Sequence, residues 1–417
     1  MNPIFLSWGI ALAATAGVIL RPFRWPEAIW AVAGALVLVA LGLLPAQLAW
    51  QAVGKGTDVY LFLIGMMLLS ELGRREGLFD WVAVHAVNYA KGSPRKLFTL
   101  VYLVGVVVTT FLSNDAAAVV LTPAVFAAAR KAKTKPLPLL YVCAFIANAA
   151  SFVLPISNPA NLVLYANHTP ALGLWVARFA LPSVLSIAAT FVMLRWTQRA
   201  DLGGACACDL PVERLSTNGK VTLASMGVTA VALLVVSAFD LQLGLPTAVL
   251  GILTALVVLV KERQSPVKLV SEISWSVLPL VAGLFVLVEV LDHTGVIHEL
   301  SALLTLATRQ NQPMAAAASG LVIAFGSNAI NNLPAGLIAS ATALQAHSPE
   351  RVIDALLIGV DLGPNLSITG SLATILWLSS IRREGEEVGF VQFLKVGIVV
   401  MLPALVLALG SRLLAGH

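Results

Sequence analysis

The sequence contains little charge for its length. Only 11% of its 417 residues are charged, whereas 59% are hydrophobic, and the mean hydropathy is +0.90. A soluble chain of this size would lack the polar surface needed to cover itself, so the composition predicts a polytopic membrane protein embedded in a lipid bilayer. Cysteine is also scarce. The 3 cysteines, Cys143, Cys206 and Cys208, are too few and too unevenly spaced for a disulfide framework.

Enzyme signatures are missing as well. The chain has no GxSxG, HExxH or Walker A motif, which argues against an intramembrane enzyme and predicts no cofactor. The Cys206-Ala207-Cys208 pair has no nearby His, so no metal site is predicted. The net charge of +5 comes from short basic clusters between apolar segments, and it therefore does not indicate nucleic-acid binding.

Long apolar runs divide the chain into about ten predicted crossings of the membrane. The apolar start, residues 1–20, has no basic n-region and is interpreted as a first span that is kept. Two segments, 97-130 and 313-346, consist of two short apolar arms around a polar tip, which indicates re-entrant hairpins. Two others, 137-167 and 352-381, are interrupted by Pro, Ser and Asn and are therefore predicted to be broken helices.

The two halves of the chain match each other in order and spacing. Three residues recur after 218 positions: Gly65, Glu71 and Gly77 correspond to Gly283, Glu289 and Gly295. The first tip, Ser113-Asn114, is aligned with Ser327-Asn328 after 214 positions. The predicted fold class is therefore all-α, with two repeats of about five transmembrane helices, each holding one hairpin and one broken helix. An odd number of crossings inverts the second repeat relative to the first.

Basic residues predict the orientation of this topology. The predicted domains are an N-terminal repeat, 1-196, a linker, 197-220, and a C-terminal repeat, 221-417. Of the 26 Lys and Arg residues, 21 fall on the side of the linker and 5 on the other side. Because cytoplasmic loops hold the excess of Lys and Arg, the linker is predicted to be cytoplasmic and both termini external. The expected location is the cell inner membrane.

The polar segments resemble a known family. Ser-Asn hairpin tips combined with proline-containing broken helices, each present twice, resemble the ion transporter superfamily. Within it, four segments resemble the arsenite and antimonite efflux permeases: Phe111 to Pro123, Ala147 through Asn158, Asn331 to Pro334, and Asp361 through Thr374. Dicarboxylate carriers of the superfamily usually show Ser-Asn-Thr at both tips, but here the third residue is Asp115 or Ala329. This departure argues against a dicarboxylate substrate.

The resemblance implies a secondary active transporter that exports arsenite or antimonite. Some members of that family associate with an arsenite-stimulated ATPase, and the loop 197-220 is the natural place for such a partner to dock. A proton gradient is the expected driving force, because each entering proton is driven by ~2.3 kcal/mol per 100 mV of membrane potential. Asp115, at the first tip, and Asp361, just before the second break, are the predicted proton-coupling residues.

The chemistry of arsenite fits the residues at the tips and breaks. Near neutral pH arsenite is As(OH)3, an uncharged solute, so its site needs hydrogen-bond donors and acceptors instead of a counter-charge. Asn and Ser supply both. No Arg or Lys lies in the tips or breaks. The predicted substrate-binding residues are Ser113, Asn114, Ser157, Asn158, Asn161, Ser327, Asn328, Asn331, Asn332, Asn365 and Thr369.

Three alternatives remain open at the level of sequence. The polar residues could have a purely structural role and form hydrogen bonds between helices. The same scaffold could serve a sodium/proton antiporter or a sodium-coupled anion carrier, since unwound carbonyl groups can also hold Na+. Glu71 and Glu289 are interpreted mainly as interfacial anchors, and Cys143 as a small core residue.

Overall fold

A computed structural model describes residues 2–165, 169–207, 210–211, 214–239, 241–262 and 265–415. Within these ranges all regular secondary structure is helical. Some sequence predictions lie outside the described residues: the end of the first broken helix at 166–167, the linker residues 208–209 and 212–213, and the last two residues of the C-terminal repeat.

The first half contains eleven α-helices in the order that the hydropathy pattern predicts. They are α1 Pro3–Leu20, α2 Glu27–Ala40, α3 Ala46–Lys55, α4 Thr57–Arg75, α5 Leu78–Ala90, α6 Pro94–Leu112, α7 Asn114–Ala116, α8 Thr122–Lys131, α9 Leu137–Ala149, α10 Pro159–Leu164 and α11 Leu172–Thr197. The helices α6 to α8, with one π-helical turn before α8, form the first hairpin. The pair α9 and α10 forms the first broken helix.

The second half repeats this order with ten helices. They are α12 Thr217–Ala238, α13 Gly244–Glu262, α14 Pro266–Glu272, α15 Val277–His293, α16 Val296–Gln310, α17 Gln312–Ile330, α18 Asn332–Gln345, α19 Glu350–Leu362, α20 Leu372–Arg383 and α21 Phe390–Leu414. The pair α17 and α18 forms the second hairpin, and α19 and α20 form the second broken helix. Seven described helices are long and apolar enough to cross a membrane, or up to nine if two bent pairs are each one span.

The arms of the hairpins are longer than the sequence predicts. The prediction began the first arm at residue 97, but α6 begins at Pro94, because the Ser93 side chain caps the helix by accepting from the Lys96 amide at 3.4 Å. With 19 residues each, α6 and α17 could span by length alone. Each of them nevertheless ends at a buried tip, where the chain turns back.

The tip of the second hairpin is not where the sequence predicts it. The chain has a positive φ at Ser113 (129°) and at Asn331 (72°), and these two residues are 218 positions apart. The prediction aligned Ser113 with Ser327, but Ser327 and Asn328 lie inside α17 and hydrogen-bond back to Ala324 O at 2.9 and 2.8 Å. Polar side chains that bond to their own helix let it continue. The structural counterpart of Ser113-Asn114 is therefore Asn331-Asn332.

Helices of the first half pack against helices of the second half through close backbone contacts. A Cβ atom at Gly65 of α4 would lie 2.1 Å from Thr247 O of α13, and one at Gly283 of α15 would lie 2.7 Å from the carbonyl carbon of Ala31 in α2. Glycine is required at both places because any side chain would push the helices apart. The 218-residue repeat in the sequence thus corresponds to equivalent helix pairs in the fold.

The apolar interior is divided into two large cores with polar segments between them. One core is built around the rings of Phe98, Phe145, Trp175, Trp377 and Phe393, from the first hairpin, α9, α11, α20 and α21. The other joins α1 to α4 with α15 and includes the α10 side of the first break. The hairpin tips and the two breaks lie where these cores meet, and they carry the polar residues of the candidate site.

Candidate functional site

The first break is set by proline and by an asparagine cap. The helix α9 ends at Ala149, a short 3-10 turn covers Pro155–Ser157, and α10 begins at Pro159. Proline has no N–H to donate, so the helical hydrogen-bond ladder cannot run through this segment. The Asn158 side chain caps α10 by accepting from the Ala160 amide at 3.0 Å. The break therefore places polar side chains and non-helical backbone in the interior, where the carbonyl groups of Ser151 and Leu154 accept from the Asn161 side chain.

Asp361 is the centre of the polar cluster at this break. It lies near the end of α19, is fully buried, and accepts hydrogen bonds from Ser151 Oγ at 2.7 Å and from Asn158 Nδ2 at 2.8 Å. Both donors are neutral and come from the other half of the chain. The structure brings together Asn158 and Asp361, both of which the sequence analysis names, and adds Ser151, which it does not name as a site residue.

The same helix carries a second buried aspartate with a different environment. Asp354 accepts from Arg412 Nη2 at 2.7 Å and from the Tyr165 hydroxyl, and Arg178 lies 3.9 Å from it. Among the described residues, Asp361 has no such cationic partner. A buried carboxylate without a cation is costly as a bare charge and is neutralised by a proton or a bound cation. Asp354 is thus part of an ion-pair network, whereas the hydrogen bonds that Asp361 accepts come from neutral donors.

Two buried amide oxygens near this cluster have no hydrogen-bond partner in the described chain. Asn148 donates to Asn365 Oδ1 at 3.0 Å, and Asn161 donates to Ser151 O at 2.8 Å, but the Oδ1 atoms of both Asn148 and Asn161 are unpaired. Asn365 donates in turn to Phe145 O at 3.0 Å. Buried polar atoms are seldom left unpaired, so these two oxygens are acceptors that the described protein leaves unused.

The second hairpin and the second break form a closed hydrogen-bonded unit. Asn328 Nδ2 donates to Gly363 O at 3.0 Å, and its Oδ1 accepts from Ser367 Oγ at 2.8 Å. The backbone of the second break bonds to the tip residues: Asn331 Nδ2 donates to Thr369 O at 3.3 Å and Asn332 N donates to Gly370 O at 2.8 Å. The predicted residues Asn328, Asn331, Asn332 and Thr369 are therefore brought together, and Ser367 joins them.

The first hairpin tip faces a cavity instead. Ser113 and Asp115 line a cavity of about 100 Å³ together with Pro159 of the first break and Glu71 of α4. This volume holds a few water molecules or a small polar solute. Asn114, buried beside it, accepts from the Asp115 amide at 2.9 Å and donates no hydrogen bond to the described residues. Ser157 instead ties the first break to the hairpin arm, since its hydroxyl donates to Thr110 O at 2.9 Å.

An ion-pair group lies beside this cavity. Arg74 forms a salt bridge with Glu71 and a second one with Glu272 at 2.8 Å, and both acids line the cavity. Glu71 therefore faces the same space as Asp115, which its interpretation as an interfacial anchor did not include. Its repeat counterpart Glu289 pairs with Lys55 at 2.7 Å.

The two described cysteines, Cys143 and Cys206, are both buried. In the part of the chain that the structure describes, no three His, Cys, Asp or Glu side chains are close enough to hold a metal ion. Cys143 is a buried residue of α9 whose thiol donates to Leu139 O at 3.7 Å. Cys206 is buried in the linker, and Cys208 lies outside the described residues.

The residues that sequence reasoning missed had a recognisable signal. Asn148, Ser151 and Ser367 are polar residues within one or two turns of a break, in segments that are otherwise apolar. Such residues require partners in a low-dielectric interior. Their partners, however, lie more than 200 positions away for Asn148 and Ser151, so only the fold identifies them.

Comparisons with known proteins agree with this architecture. Residues 11–359 match a family described as "Citrate transporter". The chain is 28% identical over 403 residues to the "Arsenical pump membrane protein" of Escherichia coli K12, covering 91% of this chain and 92% of that protein. It is 28% identical to the protein of the same name from Yersinia enterocolitica, with 87% and 86% covered. An "Uncharacterized transporter" of Mycobacterium tuberculosis is 26% identical, with 85% of each chain covered.

A solved structure shows the same overall fold. The YdaH transporter of Alcanivorax borkumensis, described as having an unusual topology, aligns with a TM-score of 0.57 at 14% identity over 99% of this chain and 98% of that one. The resemblance to arsenite and antimonite efflux permeases is confirmed by the arsenical pump relatives. These relatives and the family are transporters and not enzymes. The chain is a multi-pass membrane transporter that belongs to the citrate transporter family.

Proposed function

We propose that this transporter exports arsenite or antimonite in exchange for protons. The observation that carries the proposal is the set of neutral Asn and Ser side chains around Asp361, with unpaired amide oxygens beside them. Hydroxyl groups of As(OH)3 can donate to such oxygens, and the Asn and Ser donors can bond to its oxygens. The name of the relatives, "Arsenical pump membrane protein", supports the same substrate.

The charge of the site argues against a citrate-like substrate. A polycarboxylate requires cations or many N–H donors, and bidentate Arg is the residue that proteins usually provide. Arg74, which pairs with two acids that line the cavity, is already occupied by Glu71 and Glu272. We therefore relate the family name to the fold alone. The substrate of this chain is proposed from a site whose described residues offer no unpaired cation to a polycarboxylate.

Proton coupling is proposed at Asp361 and Asp115. Asp361 links the two halves of the chain, and Asp115 faces the cavity at the first tip. Export of a neutral solute against its gradient needs a coupled charge, and an inward proton supplies ~2.3 kcal/mol per 100 mV. In this mechanism a protonated carboxylate faces the cytoplasm, releases its proton there and lets arsenite bind. We also propose that the protein lies in the inner membrane with both termini external. An ATPase partner is proposed to dock at the linker 197-220.

The test is arsenite uptake into everted membrane vesicles without ATP, under an imposed proton gradient, with and without sodium. Proton-driven accumulation that does not depend on sodium is expected. Accumulation that requires sodium would instead favour a sodium-coupled carrier, in which Asp361 and the break carbonyls hold Na+. Antimonite in place of arsenite tests the second substrate, and addition of the purified ATPase with ATP tests the partner.

A further inference from the structure

A groove with four cations lies near the start of the first hairpin, and it shares no lining residue with the cavity at the first tip. It has a volume of about 410 Å³ and is lined by Lys91, Arg95, Lys96 and Arg195, together with Tyr89. This is within the range of roughly 300–1,000 Å³ in which small molecules usually bind. The residues come from three elements: the end of α5, the first turn of α6 and the last turn of α11.

The packing below the groove holds these elements together. The Tyr102 hydroxyl of α6 donates to Ile187 O of α11 at 2.6 Å. The Phe191 ring of α11 lies 5.0 Å from the Tyr102 ring and 6.0 Å from the Phe98 ring, centroid to centroid. These contacts hold α6 against α11, so the helices that carry Arg95, Lys96 and Arg195 are packed together.

The cations of the groove are not neutralised within the described chain. None of the four forms an ion pair with a described Asp or Glu; Arg195 has only the Phe191 ring, 5.8 Å from its guanidinium carbon. Arg95 and Lys96 are in the first turn of α6, where the helix dipole is already positive. Cations at a helix N-terminus are unfavourable unless an anion is present. The groove is therefore complementary to a negatively charged group.

The surroundings identify the anion as part of a lipid. Beyond the groove, α6 and α11 expose apolar side chains along the same side: Leu103 and Val107 are 55% exposed, and Val192 is 53% exposed. Aromatic residues lie at the level of the cations, with Tyr89 77% and Trp196 53% exposed. Aromatic side chains beside Lys and Arg mark the boundary between hydrocarbon and headgroups. A soluble anion would satisfy the cations only, whereas a phospholipid satisfies the cations and the apolar surface together.

We infer that the groove formed by Lys91, Arg95, Lys96 and Arg195 binds the phosphate headgroup of an anionic phospholipid at the cytoplasmic surface of the membrane. Basic pockets between transmembrane helices on the cytoplasmic side have the chemistry for such headgroups. A zwitterionic headgroup brings an ammonium group against four cations and is disfavoured. The bound lipid bridges the base of the first hairpin, at α5 and α6, to α11 and removes the mutual repulsion of the cations.

Native mass spectrometry of the full-length protein in detergent tests this inference, with phosphatidylglycerol, cardiolipin and phosphatidylcholine as probes. The wild type is expected to retain one anionic phospholipid at least about tenfold more tightly than phosphatidylcholine, since each basic residue near an anionic headgroup contributes roughly 1 kcal/mol. The variant K91Q/R95Q/K96Q/R195Q is expected to lose this preference. Equal retention of phosphatidylcholine by the wild type would overturn the proposal.

A matched control removes the same number of Lys and Arg charges elsewhere. The variant K131Q/K133Q/R382Q/R383Q changes exposed residues that the same positive-inside argument places on the cytoplasmic side, and it should keep the lipid preference. Loss of the preference in this control would show a general charge effect and contradict a specific site. If the fourfold groove variant does not fold, Arg195→Gln alone should still weaken lipid retention several-fold. Displacement of the lipid by inorganic phosphate at equal concentration would identify a soluble-anion site and refute the lipid assignment.

Discussion

The two hairpins have the same chain order but are held in different ways. The second tip is bonded to the second break through Asn328, Asn331 and Asn332, so its polar groups are satisfied by the protein. The first tip has local bonds at Ser113 and Asn114, and it faces a cavity with Asp115. Satisfied polar groups make a rigid unit, whereas unsatisfied ones are available to a ligand. This difference is the reason why we propose the first tip and Asp361 as the places where solute and protons bind.

The largest expected loss of transport follows removal of the Asp115 or the Asp361 carboxylate. Asp115→Asn and Asp361→Asn keep the size of the side chain but remove the group that can carry a proton. We expect proton-driven arsenite accumulation in everted vesicles to fall to the background of vesicles without the protein. Asp354 is not a suitable control because it is paired with Arg412, so removal of its charge would leave a buried cation. Asp292→Asn, at the partly exposed end of α15, is the matched control and should transport normally.

Transport by either carboxylate variant at the wild-type rate would contradict the proposed coupling. A variant that still equilibrates arsenite down its gradient, but does not respond to a proton gradient, would sharpen the comparison. In that case the neutral Asn and Ser groups bind solute without the carboxylate, and the carboxylate serves only the proton.

The second prediction separates ligand binding from structural support by comparing the two hairpins directly. Asn328 makes two donated bonds and one accepted bond within the protein, so Asn328→Ala should destabilise the fold by about 1–3 kcal/mol and reduce transport. Asn114 donates no bond to the described residues, so Asn114→Ala should reduce transport without a matching loss of stability. Thermal unfolding of both purified variants, next to arsenite uptake, gives the answer. Equal loss of stability in both would remove the distinction between the tips.

The hairpins and breaks could be predicted from the sequence because each is a local conflict with an apolar helix. Pro155 and Pro159 interrupt the helical ladder, and the Ser113-Asn114-Asp115 triplet cannot lie in hydrocarbon. The second tip was misplaced by four residues because Ser327 and Asn328 bond within α17 and do not end it. The polar cluster could not be predicted fully, because bonds such as Asn148 to Asn365 depend on the packing of distant segments.

A smaller effect, on stability, is expected when a side chain is added at the close backbone contact between the second hairpin and the second break. A Cβ atom at Gly363 would lie 2.1 Å from Ala324 O and 2.6 Å from Ser327 Oγ. Gly363→Ala should therefore displace α17 and cost about 1–3 kcal/mol of stability. Gly326→Ala is the matched control, since a Cβ atom there meets nothing within 4 Å. Thermal unfolding should show a lower midpoint for Gly363→Ala only, and an unchanged midpoint would mean that this tip is not rigidly held.

The smallest expected effect concerns the repeat-related pair Glu71 and Glu289. Glu71 lines the cavity at the first tip and holds Arg74, whereas Glu289 pairs with Lys55, which is 59% exposed. Exposed ion pairs contribute about 0–1 kcal/mol, so Glu289→Gln should leave transport and stability nearly unchanged. Glu71→Gln leaves Glu272 as the ion-pair partner of Arg74 and removes a carboxylate that could accept protons leaving Asp115. Its arsenite uptake should fall several-fold, with a pH profile that differs from the wild type and from Glu289→Gln. Identical profiles for the two variants would assign Glu71 the same peripheral role as its repeat partner and leave Asp115 to exchange protons with the cytoplasm directly.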